Sequence, residues 1–98
     1  MSNWQSYLKE YKNYLKLERG LSANTIENYS FDIEKLITFL NLNAIEVTPI
    51  NITEEIVQQF IYELSTKVNA RSQSRIISGL KSFFNYLIFE DYRADTPM

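Results

Sequence analysis

An all-α bundle of four helices is what this sequence predicts, and three observations carry the prediction. Only two Gly and two Pro occur in 98 residues, while the helix-favouring Leu, Ile, Lys and Glu are plentiful. Apolar residues recur at three- and four-residue steps along four segments. No stretch makes a convincing strand. The chain has the length of one small domain. Its 45% hydrophobic content, with six Phe and one Trp, is enough to bury a useful core.

The first helix is expected from about Asn3 to Glu18, where Trp4, Tyr7, Leu8, Tyr11 and Leu15 mark one apolar stripe with Tyr14 at its edge. Gly20 can take the left-handed conformation that ends a helix, and Leu21 can add the usual hydrophobic contact. Ser22 fits the N-cap of a second helix, whose Ile26, Tyr29, Ile33, Leu36, Ile37 and Leu40 give the cleanest stripe in the chain. Thr25 stands where a full capping box would carry Glu or Gln. This helix should fade near Asn41 to Asn43, ahead of a connection to Asn51 that contains Pro49. Thr53 caps the third helix, and Glu54 and Glu55 suit the positive end of its dipole. Its buried side is Ile56, Val57, Phe60, Ile61 and Leu64.

The fourth helix should begin between Asn69 and Ser72 and run to about Asp91. Its inner face reads Ile76, Ile77, Leu80, Phe83, Phe84, Leu87 and Ile88. The opposite face carries Arg71, Ser72, Arg75, Ser78, Gly79 and Ser82, with Lys81 at the margin. Gly79 costs such a helix about 1 kcal/mol relative to Ala, which fits a close approach there by a crossing helix or by a ligand.

Composition excludes several chemistries. With no Cys there is no disulfide framework or thiolate metal site, and with no His there is no imidazole catalysis or ligation. No metal set, glycine-rich phosphate loop or paired nucleophile and base occurs, so no cofactor is expected and an independent enzyme finds no support. No apolar run approaches the roughly 20 residues that span a bilayer, and the start lacks the features of a secretory signal. Cytoplasmic residence without membrane contact is therefore the expectation. The acceptor patterns at Asn28 and Asn51 then read as chance matches.

The formal charge of −2 is low for a nucleic-acid binder, but its distribution is uneven. Residues 46 to 63 hold Glu46, Glu54, Glu55 and Glu63 with no basic residue. Residues 67 to 81 hold Lys67, Arg71, Arg75 and Lys81 with no acid. Lys9, Lys12, Lys16 and Arg19 form a second basic set, diluted by Glu10 and Glu18. A local basic face is thus permitted, although such clusters are often only solvated surface.

Two segments are more specific than their periodicity. Glu18-Arg19-Gly20-Leu21-Ser22-Ala23-Asn24-Thr25-Ile26-Glu27-Asn28-Tyr29, with Asp32-Ile33 and Phe39-Leu40 behind it, resembles the opening of tyrosine recombinases of the Xer type. The run Ala70-Arg71-Ser72-Gln73-Ser74-Arg75-Ile76-Ile77-Ser78-Gly79-Leu80-Lys81-Ser82-Phe83-Phe84-Asn85-Tyr86-Leu87 resembles the second landmark of that family. Asp95-Thr96-Pro97 is similar to the Asp-Asn-Pro that precedes its catalytic domain. Gly79 replaces a commoner Ala and Lys81 a commoner Arg. Ser30 stands where many relatives carry a basic residue, which removes a positive charge from helix two and weakens its expected footing on DNA.

The resemblance implies a SAM-like, core-binding domain over residues 1–93, with 94–98 beginning a linker to a catalytic domain that is absent here. It implies that the cutting tyrosine lies in that absent part, so none of the seven tyrosines present is expected to be a nucleophile. It implies one jaw of a clamp on double-stranded DNA. Ser22, Asn24, Thr25 and Asn28 on helix two, and Arg71, Ser72, Arg75 and Ser78 on helix four, are the implied contacts, with Lys81 beside a phosphate. Physical chemistry is compatible with that assignment. Short polar side chains at a helix start can bond phosphate oxygens alongside free backbone N–H groups, and Arg can hold two acceptors on guanine or a phosphate. Capping is the plainer role for Ser22 and Asn24, and an exposed solubilising face the plainer role for the arginines.

Partners implied by the family are recombinase subunits in a tetramer on DNA, the isolated fragment being monomeric or weakly associating. The face of Trp4, Tyr7, Tyr11 and Tyr14 is either such a contact or simple core. The short lead before helix one favours a chromosome-dimer resolution role over mobile-element integration. A helical protein-interaction module without DNA binding is the alternative, favoured by the acidic third helix.

Overall fold

The computed structural model describes residues 3–98, so Met1 and Ser2 lie outside the described residues. Four helices follow one another: α1 (Trp4–Leu17), α2 (Ala23–Leu42), α3 (Glu54–Ser65) and α4 (Ala70–Phe89). No strand occurs among the described residues. The expected all-α bundle and its element order are what the chain forms, with boundaries within about two residues of those read from periodicity.

Local chemistry explains the boundaries. Ser22 Oγ accepts the Thr25 N–H at 3.3 Å, and Thr53 Oγ1 accepts the Ile56 N–H at 3.4 Å. Asn69 caps α4 by accepting the Ser72 N–H at 2.9 Å, which decides a start that the sequence left spread over four residues. Gly20 sits at φ +62, and the Leu21 N–H reaches back to Leu15 O at 3.1 Å to close the end of α1. After α2 the left-handed position falls on Ala44, at φ 54. The connection that follows is tied down twice: Asn51 Oδ1 accepts the Thr48 N–H at 2.7 Å, and Trp4 Nε1 donates to Val47 O at 2.8 Å.

Helix α4 is central, packing against α2 on one side and α3 on another, while α2 also packs on α1. Its fully buried Leu80, Phe83, Phe84 and Leu87 meet Leu15, Ile33, Leu36 and Val57 in one core. Long aromatic side chains join α1 to α4, with the Tyr11 ring edge-on to Phe83 at 5.2 Å and Tyr14 against Tyr86 at 4.9 Å. Trp4 and Tyr11 are buried, and Tyr7 and Tyr14 are half-buried against the same core. The aromatic stripe of α1 is thus packing rather than an open surface.

Two residues read as part of the outer face of α4 turn inward. Gly79 is buried against α2, and Ser82 is half-buried, accepting the Tyr11 O–H at 2.8 Å. Tyr86, absent from the expected inner face, is buried too. A helix between three others has less outer surface than its polar residues suggest.

Candidate nucleic-acid interface

The crossing of α2 and α4 organises the candidate surface. Asp32 on α2 is 1% exposed and lies directly on Gly79 of α4. A Cβ at position 79 would stand 2.9 Å from Asp32 Cγ and nearer still to Oδ2. Any larger residue would collide, so Gly79 is the site of a helix crossing. Arg75, one turn before Gly79, closes over the same carboxylate. Its Nη2 donates to Oδ1 at 2.9 Å and its Nη1 to Oδ2 at 3.4 Å. The Arg75 side chain keeps 54% of its surface exposed, although Asp32 has none to spare.

Around this crossing the residues singled out from the sequence fall on two neighbouring helix faces. Thr25, Asn28 and Asp32 succeed one another at three- and four-residue steps along α2, so Asn28 lies one turn from the crossing. On α4, Arg71, Arg75 and Ser78 share a face, and all three are exposed. Lys81 is exposed at its margin. Asn24 and Asn28 are exposed, whereas Thr25 and Ser72 are half-buried. Ser22 and Thr25 are engaged with each other, their hydroxyl oxygens 2.9 Å apart.

Three further residues join this surface that the sequence reading did not nominate. Arg19, Tyr29 and Asn85 line one open cleft with Ser78 and Lys81, between the α1–α2 corner and the middle of α4. Asn85 was within reach of sequence reasoning, since it continues the Ser78–Lys81 row by one turn. Arg19 and Tyr29 were not, because only the tertiary fold brings the corner to α4. Arg19, Arg71 and Lys81 make no ion pair among the described residues, so their charges are free. Position 30 belongs elsewhere: Ser30 is buried and lines a recess with Lys9 and Lys12 of α1. The charge lost there does not come from the α2–α4 face.

Three tyrosines, Tyr11, Tyr86 and Tyr92, are held neutral. Burial pushes the Tyr11 and Tyr86 phenols up to about 12. Tyr92 is raised to about 12 by its hydrogen bond to Glu10. These shifts oppose the activation that a nucleophile needs. Among the described residues no cluster of carboxylates could hold a metal ion, and no helix is long and apolar enough to cross a membrane.

The phage integrase N-terminal SAM-like domain family matches residues 8–91. The chain belongs to this family. The chain is similar to relatives called tyrosine recombinase XerD from Staphylococcus saprophyticus (36% identical, covering 92% of this chain and 30% of the relative) and tyrosine recombinase XerC from Thermodesulfovibrio yellowstonii (34% identical, 99% and 31%). Tyrosine recombinase XerD from Listeria monocytogenes is 32% identical over 93% of the chain and 31% of its own length. The chain thus spans about a third of the curated relatives it matches, and the Xer-type resemblance of its two motifs agrees with their names. No solved structure matches it significantly.

Proposed function

We propose that this SAM-like domain is a DNA-binding, non-catalytic part of a tyrosine recombinase of the Xer type, which carries out site-specific recombination. The observation that carries the reading is the α2–α4 crossing. It sets the exposed polar residues of α2 beside the exposed cations of α4, on a protein whose overall charge is negative. Asn24 and Asn28 supply hydrogen bonds from one helix. Arg71, Ser72, Arg75, Ser78 and Lys81 supply charge and hydrogen bonds from the other, while Ser22 and Thr25 combine capping with a phosphate contact. Double-stranded DNA is the ligand, other recombinase subunits on the same DNA are the protein partners, and cleavage belongs to a domain beyond Met98. Chromosome-dimer resolution is favoured over integration, because curated relatives of the chain carry Xer names.

Three free cations predict weak binding with a shallow salt dependence, a log–log slope of about −3. The test is titration with duplex DNA at low salt. Arg71→Glu and Lys81→Glu should each reduce affinity at least tenfold while leaving the helical circular dichroism intact. Arg75 is a poor choice for charge reversal, since a second carboxylate beside buried Asp32 would threaten the fold.

A protein-interaction module is the second reading, favoured by one observation: Phe31 and Leu42 are 53% and 77% exposed along an apolar groove between α2 and α3. Duplex binding that is absent at low salt, or indifferent to both charge reversals, would decide for it.

A further inference from the structure

The pairing of Arg75 with Asp32 changes what that arginine can contribute to a DNA contact. Two of its five N–H donors are committed to the carboxylate, one from each terminal nitrogen. Three donors remain for a ligand, in a plane set by a buried partner: Asp32 is 1% exposed and lies on Gly79, where a Cβ would not fit. The pair as a whole carries no net charge. A phosphate approaching it meets an oriented set of hydrogen-bond donors, with little of the long-range attraction that a free guanidinium exerts.

We infer that Asp32 is a positioning residue that converts Arg75 from a free phosphate-attracting cation into a fixed, charge-neutralised donor at the DNA surface, and that Gly79 exists to admit it. The device subtracts sequence-independent attraction and leaves directional bonding, which is what discriminates one base or backbone geometry from another. Burial raises the Asp32 carboxyl above its ordinary range, against the pull of Arg75 and then Lys35. A carboxylate kept in so unfavourable a place is consistent with a role in orientation, since such pairs contribute little to stability. Arg71 and Lys81 on the same helix lack any such partner among the described residues and supply the electrostatic part.

This inference rests on the DNA-binding reading, and two measurements separate the two. First, the affinity of the 98-residue chain for a mixed-sequence duplex is followed across a salt series. Arg71→Gln should lower the slope by about one unit. The double substitution Asp32→Asn with Arg75→Gln, which removes the neutral pair as a unit, should weaken binding several-fold with the slope unchanged, and Asp32→Asn alone should steepen the slope by about one unit and tighten binding. A slope loss in that double variant equal to the loss in Arg71→Gln, or an unchanged slope in Asp32→Asn, would overturn the inference and leave the DNA reading standing. Failure of the unmodified chain to bind at low salt would overturn both. Second, nuclear magnetic resonance of the free chain, independent of DNA and of whether Asp32→Asn folds, should resolve separate η-proton signals for Arg75 from hindered guanidinium rotation. A single averaged signal would mean that the lock does not exist.

Discussion

Gly79 shows how one missing methyl group can carry a tertiary contact. In isolation the residue is a penalty, about 1 kcal/mol against alanine in a helix interior. In the fold it gives the Asp32 carboxylate room to lie against the α4 backbone. Alanine is the commoner residue in the resembled pattern, and here it would have to push aside a short, buried side chain. Overpacking of that kind costs about 1–3 kcal/mol, while the gain in helix propensity returns about 1. Gly79→Ala should therefore lower stability by about 1 kcal/mol, read as a fall in Tm of roughly 4–8 °C in a thermal melt. A rise in Tm would mean that the carboxylate relocates freely and the crossing is looser than described. Asp32 itself was legible only as a letter in a motif; nothing in its neighbours shows that it is buried or that its partner lies 43 residues away.

Helices α2 and α3 begin at the caps their sequences announce, and α4 begins within its expected window, because an N-cap is a local event. Ser22, Thr53 and Asn69 each accept an N–H three residues on, and each is followed by an apolar stripe. Helix ends were less legible. Gly20 marks the end of α1 plainly, but α2 and α4 close through left-handed Ala44 and Asp91. Aspartate tolerates that conformation through its short polar side chain, whereas alanine gains nothing from it and is strained by about 1–2 kcal/mol. Ala44 is exposed, so its methyl group adds no packing in return. Ala44→Gly should stabilise the chain by about 0.5–1 kcal/mol after the added entropy of the unfolded state is subtracted. The check is the denaturant midpoint, which should rise at constant m-value. A falling midpoint would show that the α2 end is not under strain.

Across the molecule, the tail acts as a clasp. Arg93, the last residue of the domain expected from the sequence, has its side chain 9% exposed. Its Nη1 donates to Pro49 O at 3.1 Å and Ile52 O at 3.2 Å, and its guanidinium lies over the Phe84 ring at 5.7 Å. The end of α4 is thereby fastened to the α2–α3 connection, and Pro97 is buried behind it. Arg93→Met keeps the apolar stem but strands those carbonyls, so it should cost about 2 kcal/mol and roughly 10 °C in Tm. Asp95, the exposed partner of Arg93, is a control: Asp95→Asn should change stability by well under 1 kcal/mol. A tail that merely departs toward another domain would make both substitutions silent.

The sequence by itself determined the four helices, the caps of α2 and α3, most of the buried faces and the family resemblance, because propensity, periodicity and capping act within a few residues. It also nominated the outer residues of the candidate surface, although it could not separate Arg71 from Arg75. Only the tertiary structure decided that Arg75 is neutralised and Arg71 is not, that Ser30 faces α1, that Arg19 and Tyr29 join the cleft, and that the tyrosines of α1 pack in or against the core. Each of these depends on which residues of two different helices meet. Crossing geometry sets that meeting through the summed packing of the whole core, and no local stretch of sequence contains it.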